Sequence, residues 1–203
     1  TDDGVNQRTG FVRNSDDDFL NVMFGAPEAH LAGEPRVTVE GSWGTKIEAI
    51  VRRIKWLLSL NNDAKVLVFS EFEDVLDVIQ QAISRNSILL ERATTGGVKL
   101  NVSLENFKTN ANVHVLLLPL KRAAHGLNLT EAQHVILVEP VIDPGLEAQA
   151  IKRVDRIGQL KPTCVHRFII RHSIEENVFK LARQRIDELS DIASDLSLSK
   201  RDE

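Results

Sequence analysis

The chain has 203 residues, 42% of them hydrophobic and 27% charged, enough apolar material for one compact domain with a short appended arm. A formal net charge of −4 excludes an indiscriminate polyanion binder, so any nucleic-acid contact has to come from a local patch. Cys164 is the only cysteine, which excludes an internal disulfide framework and a cysteine-based zinc module within this stretch, and fits a reducing compartment, cytosol or nucleus. No apolar run approaches the length of a membrane span, and the first residues, TDDGVNQRTG, lack the basic and apolar regions of a signal peptide.

Residues 1–40 mix Asp16, Asp17 and Asp18 with scattered Gly and Pro and hold no sustained periodicity; they are read as a linker or partly disordered arm. From Thr45 to Leu60, Ile47, Ile50, Val51, Ile54, Leu57 and Leu58 recur at helical spacing, which predicts an amphipathic helix. KVLVFS at 65–70 predicts a strand, and EDVLDVIQQAISR, with Val75, Leu76, Ile79 and Ile83 on one face, a second helix. A weak strand near Ile88 to Leu90 and a helix around Ser103 to Lys108 follow. VHVLLL at 113–118 and HVILVE at 134–139 are continuous apolar runs, the pattern of strands covered on both faces in a parallel sheet.

Asp143 and Pro144 suit the N-cap and first position of a helix expected to run through QAIKRVDRIGQ. CVHRFII predicts the last strand. Ser173 and Glu176 satisfy the capping-box pattern and open a long terminal helix bearing Val178, Leu181, Ile186 and Leu189. The expected fold class is α/β: a three-layer lobe with a mainly parallel sheet and a C-terminal helix. The boundaries read as an arm at 1–40, the lobe at 41–172 and a brace helix with tail at 173–203.

The segment richest in chemistry is Gln149 to Gln159. At about 100° per residue on a continuous helix, Gln149, Arg153 and Arg156 share one face, while Leu146, Ala150, Val154 and Ile157 form the stripe that docks on the sheet. Paired guanidinium forks match phosphate oxygens, so a phosphate held by a partner surface is a natural target. On spacing alone, a solvated or salt-bridged face is the commoner outcome.

QAIKRVDRIGQ resembles the last helicase motif of Swi/Snf-type ATPases, usually Q-A-x-x-R-x-x-R-x-G-Q; Gln149, Ala150, Arg153, Arg156, Gly158 and Gln159 all match. KVLVFSEFEDVLDVI resembles the motif opening that family's second lobe, and NVHVLLLPLKRAAHGLNLTEAQHVILVEP its fifth motif, with Gly126, Asn128 and Leu129 matching. The resemblance runs from about Gly41 to Lys180 and, through LLLPL, the VEP tripeptide and CVHRFII, is strongest to the RING-finger ubiquitin-ligase branch. It implies a RecA-like second lobe whose Arg153 and Arg156 act as arginine fingers toward ATP and Mg2+ held mainly by an N-terminal ATPase lobe in cis. Gln149, Gly126 and Asp155 would border the ATP cleft. Ser70, Lys121, Arg122, Gly126 and Asn128 would meet double-stranded DNA or a nucleosome, ubiquitin-pathway proteins would be further partners, and the setting would be nuclear, with no membrane.

No G-x-x-x-x-G-K-[ST] loop occurs in the sequence, so the chain is expected to be nearly inactive alone. Ala123 and Ala124 replace the family's usual glycine pair and Asp155 its usual histidine, touching the DNA and cleft surfaces. A lobe that has lost catalysis and serves as a DNA, chromatin or ubiquitin-pathway scaffold is therefore the alternative. Lys152, Lys161, Arg167 and Arg171 form either a phosphate-facing patch or a solvated edge. His125, His134, His166 and His172 lack metal-ligand spacing, and no metal site is assigned. No G-x-S-x-G turn supports Ser70 as a nucleophile, and no Gly-rich βα fingerprint supports a small-molecule enzyme.

Overall fold

The structure is a computed structural model that describes residues 37–93, 98–124, 127–154 and 163–199. His125, Gly126, Asp155, Arg156, Ile157, Gly158, Gln159, Lys161 and most of the 1–40 arm lie outside the described residues.

The elements run α1 (Thr45–Leu60), β1 (Val66–Ser70), α2 (Glu73–Arg85), β2 (Leu90–Arg92), α3 (Val98–Thr109), β3 (Val115–Pro119), a 3-10 turn (Leu120–Ala124), β4 (His134–Leu137), α4 (Pro144–Ile151), β5 (Cys164–Arg167) and α5 (Ile174–Ser199). The five strands form one sheet in the order β2-β3-β1-β4-β5, and every pairing is parallel. The α/β class expected from the unbroken apolar runs is what forms: β1 and β3 are buried along their whole length.

Because side chains alternate across a strand, each central strand feeds two cores. Leu67, Phe69, Leu116, Leu118, Val135 and Leu137 pack with Phe107 of α3 and with Ala150 and Val154 at α4. Val66, Val68, Val115, Leu117 and Ile136 face the other way, against Ile50, Val51, Ile54 and Leu57 of α1 and Leu76, Ile79 and Ile83 of α2. Burying one such aliphatic side chain contributes about 1.5–3 kcal/mol, and both faces of the sheet are covered, giving the three layers.

Several boundaries differ from the sequence reading. β2 begins at Leu90 rather than Ile88, and α3 begins at Val98 rather than near Ser103. The helix through the arginine segment ends at Ile151: Arg153 N–H bonds the Ala150 carbonyl and Val154 N–H that of Ile151, an i→i−3 turn in place of continued α-helix. The straight helix expected to carry Gln149 and Arg153 is therefore interrupted between them, and Arg156 lies outside the described residues. α5 is capped differently from the box: Ser173 Oγ accepts from Glu175 N–H, and the carboxylate reaching back is that of Glu175, to Ile170 N–H. Glu175 also accepts from Lys46 Nζ at 2.6 Å, tying α5 to α1, while Ile186 of α5 packs on Ile151.

Candidate functional site: the C-terminal edge of the sheet

The crossover from β1 leads past β3 to β2, and the crossover from β3 leads past β1 to β4, so the chain leaves these adjacent strands in opposite directions. Ligands of open parallel sheets bind at such a reversal, outside the carboxyl ends of the strands. Ser70 and Pro119 are register partners at this point, which places the β1–α2 turn beside the 3-10 turn carrying Lys121 and Arg122.

The floor of this edge is a hydrogen-bonded clamp around Glu139. Its carboxylate accepts from the Ser70 hydroxyl at 3.1 Å and from Glu71 N–H, while Ser70 Oγ accepts from Phe72 N–H at 3.1 Å. Burial pushes the Glu139 carboxyl up; the Glu71 N–H, the Ser70 hydroxyl and the Lys46 charge pull it back, and the Glu71 charge adds to the rise. Ser70, expected on the DNA surface, is 1% exposed, with its hydroxyl engaged in this clamp. Lys121 and Asn128 are exposed and Arg122 is half-buried, so these three remain accessible.

Ala123 and Ala124 complete the 3-10 turn, and among the described residues only Ser87 and His172 are non-glycine residues with positive φ. The concern raised by two alanines in place of glycines is thereby answered for the backbone: these positions do not use the left-handed region. The following loop is tied down by Leu129 N–H donating to the Arg153 carbonyl at 3.0 Å, and α4 packs against the 3-10 turn. The fifth-motif segment and the arginine segment are thus one mechanical unit.

α4 starts as its sequence signals: Asp143 Oδ1 accepts from Gly145 N–H at 2.8 Å and from Leu146 N–H at 3.4 Å, with Pro144 at the first position. Gln149 is exposed, and Arg153 is half-buried. The Arg153 Nε is buried and has no hydrogen-bond partner among the described residues. A buried guanidinium N–H without a partner is costly unless an anion or water completes it.

The basic patch needs correction. Arg167 donates from Nε and Nη2 to Glu147 Oε1 at 2.8 and 2.6 Å, with only 11% and 5% of the two side chains exposed, so it anchors α4 to the edge strand and is not on a phosphate-facing surface. Burial raises the Glu147 carboxyl, with Arg167 opposing it. Neither partner is distinguishable from a surface charge in sequence. The β4–β5 register also brings His134, Cys164 and His166 together, residues without metal-like spacing along the chain. Burial, with the Arg53 charge adding, pushes the His134 imidazole down to about 4.

The family model described as the helicase conserved C-terminal domain matches residues 45–158. The chain belongs to the helicase C-terminal domain family. It is 46% identical over 160 residues to the human E3 ubiquitin-protein ligase SHPRH, an alignment covering 78% of this chain and 9% of that protein. Over 142 residues it is 33% identical to the DNA repair protein rad8 of Schizosaccharomyces pombe, covering 69% of this chain and 12% of that one. The chain thus spans about a tenth of the length of these relatives. The crystal structure of the C-terminal part of the Fun30 ATPase domain superposes with a TM-score of 0.66 at 28% identity, over 71% of this chain and 48% of that one. The Swi/Snf-type resemblance to the RING-finger ligase branch is therefore shown by whole-segment similarity, and the helicase C-terminal lobe takes the RecA-like form that the motifs implied. No helix among the described residues is long and apolar enough to cross a membrane.

Proposed function

We propose that this helicase C-terminal domain is the second lobe of a DNA-dependent ATPase acting in DNA repair in the nucleus, where it completes an ATP site held mainly by an N-terminal lobe. Arg153 and Arg156 supply positive charge to the transferring phosphoryl group, and Lys121, Arg122 and Asn128 meet the backbone of duplex DNA or a nucleosome. The observation that carries this reading is Arg153 itself. It sits on a tight turn whose Arg153 carbonyl accepts from Leu129 N–H, and its Nε N–H is buried without a partner among the described residues. A positioned guanidinium whose remaining donors a partner's anion can complete is the arrangement that stabilises charge developing in phosphoryl transfer.

The donor set fits the charge of ATP and not the binding of magnesium. The buried carboxylate at this edge, Glu139, is already engaged by Ser70 and Glu71, and in this reading Mg2+ and most of the nucleotide fall to the other lobe. Bound there, ATP with Mg2+ supplies the phosphoryl group and its charge neutralisation; this chain orients Arg153 through the Leu129 bond and couples it to the DNA-facing turn. Gln149, exposed on α4, and Gly126 and Asp155 border the same cleft in this reading. Ubiquitin-pathway partners are proposed through the similarity to SHPRH.

The test places this chain behind the first lobe of a Swi/Snf-type relative and follows DNA-stimulated ATP hydrolysis. Arg156→Ala should slow turnover roughly 10³-fold, the range of arginine-finger losses. Wild-type turnover in the variant would reject the finger role, and DNA binding without any turnover in an otherwise folded two-lobed protein would favour a silent scaffold.

A further inference from the structure

On the face of the sheet that carries α1 and α2, three metal-ligating side chains converge outside the site described above. Cys164 and His166 are two apart on β5, so the strand period puts both on one face. His134 is the register partner of Cys164, and Ile136 that of His166, so the parallel pairing places His134 on the same face beside them. One donor atom from each, an imidazole nitrogen of His134 and of His166 and the Cys164 sulfur, all lie within 4.8 Å of one another. His134 Nδ1 and His166 Nε2 are 3.3 Å apart, with ring centroids at 5.4 Å.

We propose that His134, Cys164 and His166 bind a zinc ion. Two imidazole nitrogens each about 2.05 Å from a tetrahedral zinc stand roughly 3.3–3.4 Å apart, and a nitrogen and a thiolate sulfur roughly 3.6 Å apart. The two nitrogens already have that spacing, and the sulfur, within 4.8 Å of the ligand nitrogens, would close to it on binding. The donors rise from hydrogen-bonded neighbouring strands, so their separation is set by the sheet and not by loop conformation. A nitrogen–sulfur donor set is the one that borderline-soft zinc prefers over magnesium or calcium. Three protein donors leave a fourth position for water. Arg53 of α1 bears its charge on both His134 and Cys164, so the ion has to share this face with a guanidinium. The thiolate is the only ligand of the three that offsets that charge, which makes Cys164 the residue on which binding depends. A bound ion would cross-link β4 to the edge strand that follows the arginine segment.

The experiment titrates cobalt(II), as a spectroscopic stand-in for zinc, and then zinc itself into the metal-free 203-residue chain, with its Cys164→Ser and His166→Gln variants in parallel. The expected result is one ion per chain, tetrahedral cobalt absorption with a thiolate-to-cobalt charge-transfer band, and displacement of that spectrum by zinc. Cys164→Ser should lose the charge-transfer band, and each variant should bind at least ~10-fold more weakly while keeping the wild-type circular dichroism. An octahedral spectrum, the same binding in Cys164→Ser, or no stoichiometric ion would overturn the proposal and leave a His–His hydrogen bond only. If Cys164→Ser does not fold, His166→Gln, which leaves the sulfur in place, decides between the same outcomes.

Discussion

Glu147 and Arg167 are buried together, with side-chain exposures of 5% and 11%, and each satisfies the other's charge. Removing one partner takes away the other's buried counter-charge: Glu147→Ala should cost about 3–5 kcal/mol, read from urea unfolding followed by the fluorescence of Trp43 and Trp56. A change below about 1 kcal/mol would mean that Arg167 escapes to solvent. Glu139 makes a prediction of a different kind. Its folded pKa is raised, so it binds its proton more readily folded than unfolded, and the stability it contributes is full below the ordinary carboxylate range and is lost as pH rises through the raised value. Lowering pH from neutral into that range should therefore stabilise the wild type relative to Glu139→Gln. Parallel stability profiles for the two would show that burial does not govern this carboxyl. Roles of this kind are poorly legible in sequence: Arg167 reads as a candidate surface cation and Ser70 as a DNA contact, because burial and partnership depend on which strands become neighbours.

Elements are most legible where two local signals coincide. Asp143 with Pro144 marks the start of α4, and the alternating faces of EDVLDVIQQAISR mark both ends of α2. The end of α4 is not legible, since Lys, Arg and Val continue the helical pattern through residues 152–154 while the backbone turns tighter, drawn by the Arg153 carbonyl's bond to the Leu129 loop. The Asp143 side chain satisfies two otherwise orphaned N–H groups, so Asp143→Ala should destabilise the domain by about 1 kcal/mol and lower DNA-stimulated turnover in the two-lobed protein. Unaltered stability would show that water caps α4 equally well.

At the scale of the molecule, the order β2-β3-β1-β4-β5 brings separate sequence motifs together: the β1–α2 turn and the 3-10 turn meet where the crossovers reverse, and the Arg153 carbonyl is bonded to Leu129 in the loop that follows the 3-10 turn. The motifs and their order are visible in the sequence, and the parallel class follows from unbroken apolar runs; the pairing register, which also gathers His134, Cys164 and His166, is not visible there. With a net charge of −4, the proposed DNA contact would have to come from a local patch, here Lys121 and Arg122. Replacing Lys121 and Arg122 with alanine should lower the magnitude of the log K against log salt slope by about 2, since each phosphate that a side chain neutralises adds roughly 0.9 to it. A slope equal to wild type would move the DNA-binding surface elsewhere.

In the proposed function, Arg153, its carbonyl held by the Leu129 loop, serves a phosphate on the partner lobe. Single-turnover hydrolysis of ATP by the DNA-saturated two-lobed protein, with ATP affinity measured separately, tests it most directly. Arg153→Ala should leave ATP affinity within about tenfold and slow hydrolysis roughly 10³-fold; hydrolysis at the wild-type rate in that variant would contradict the role.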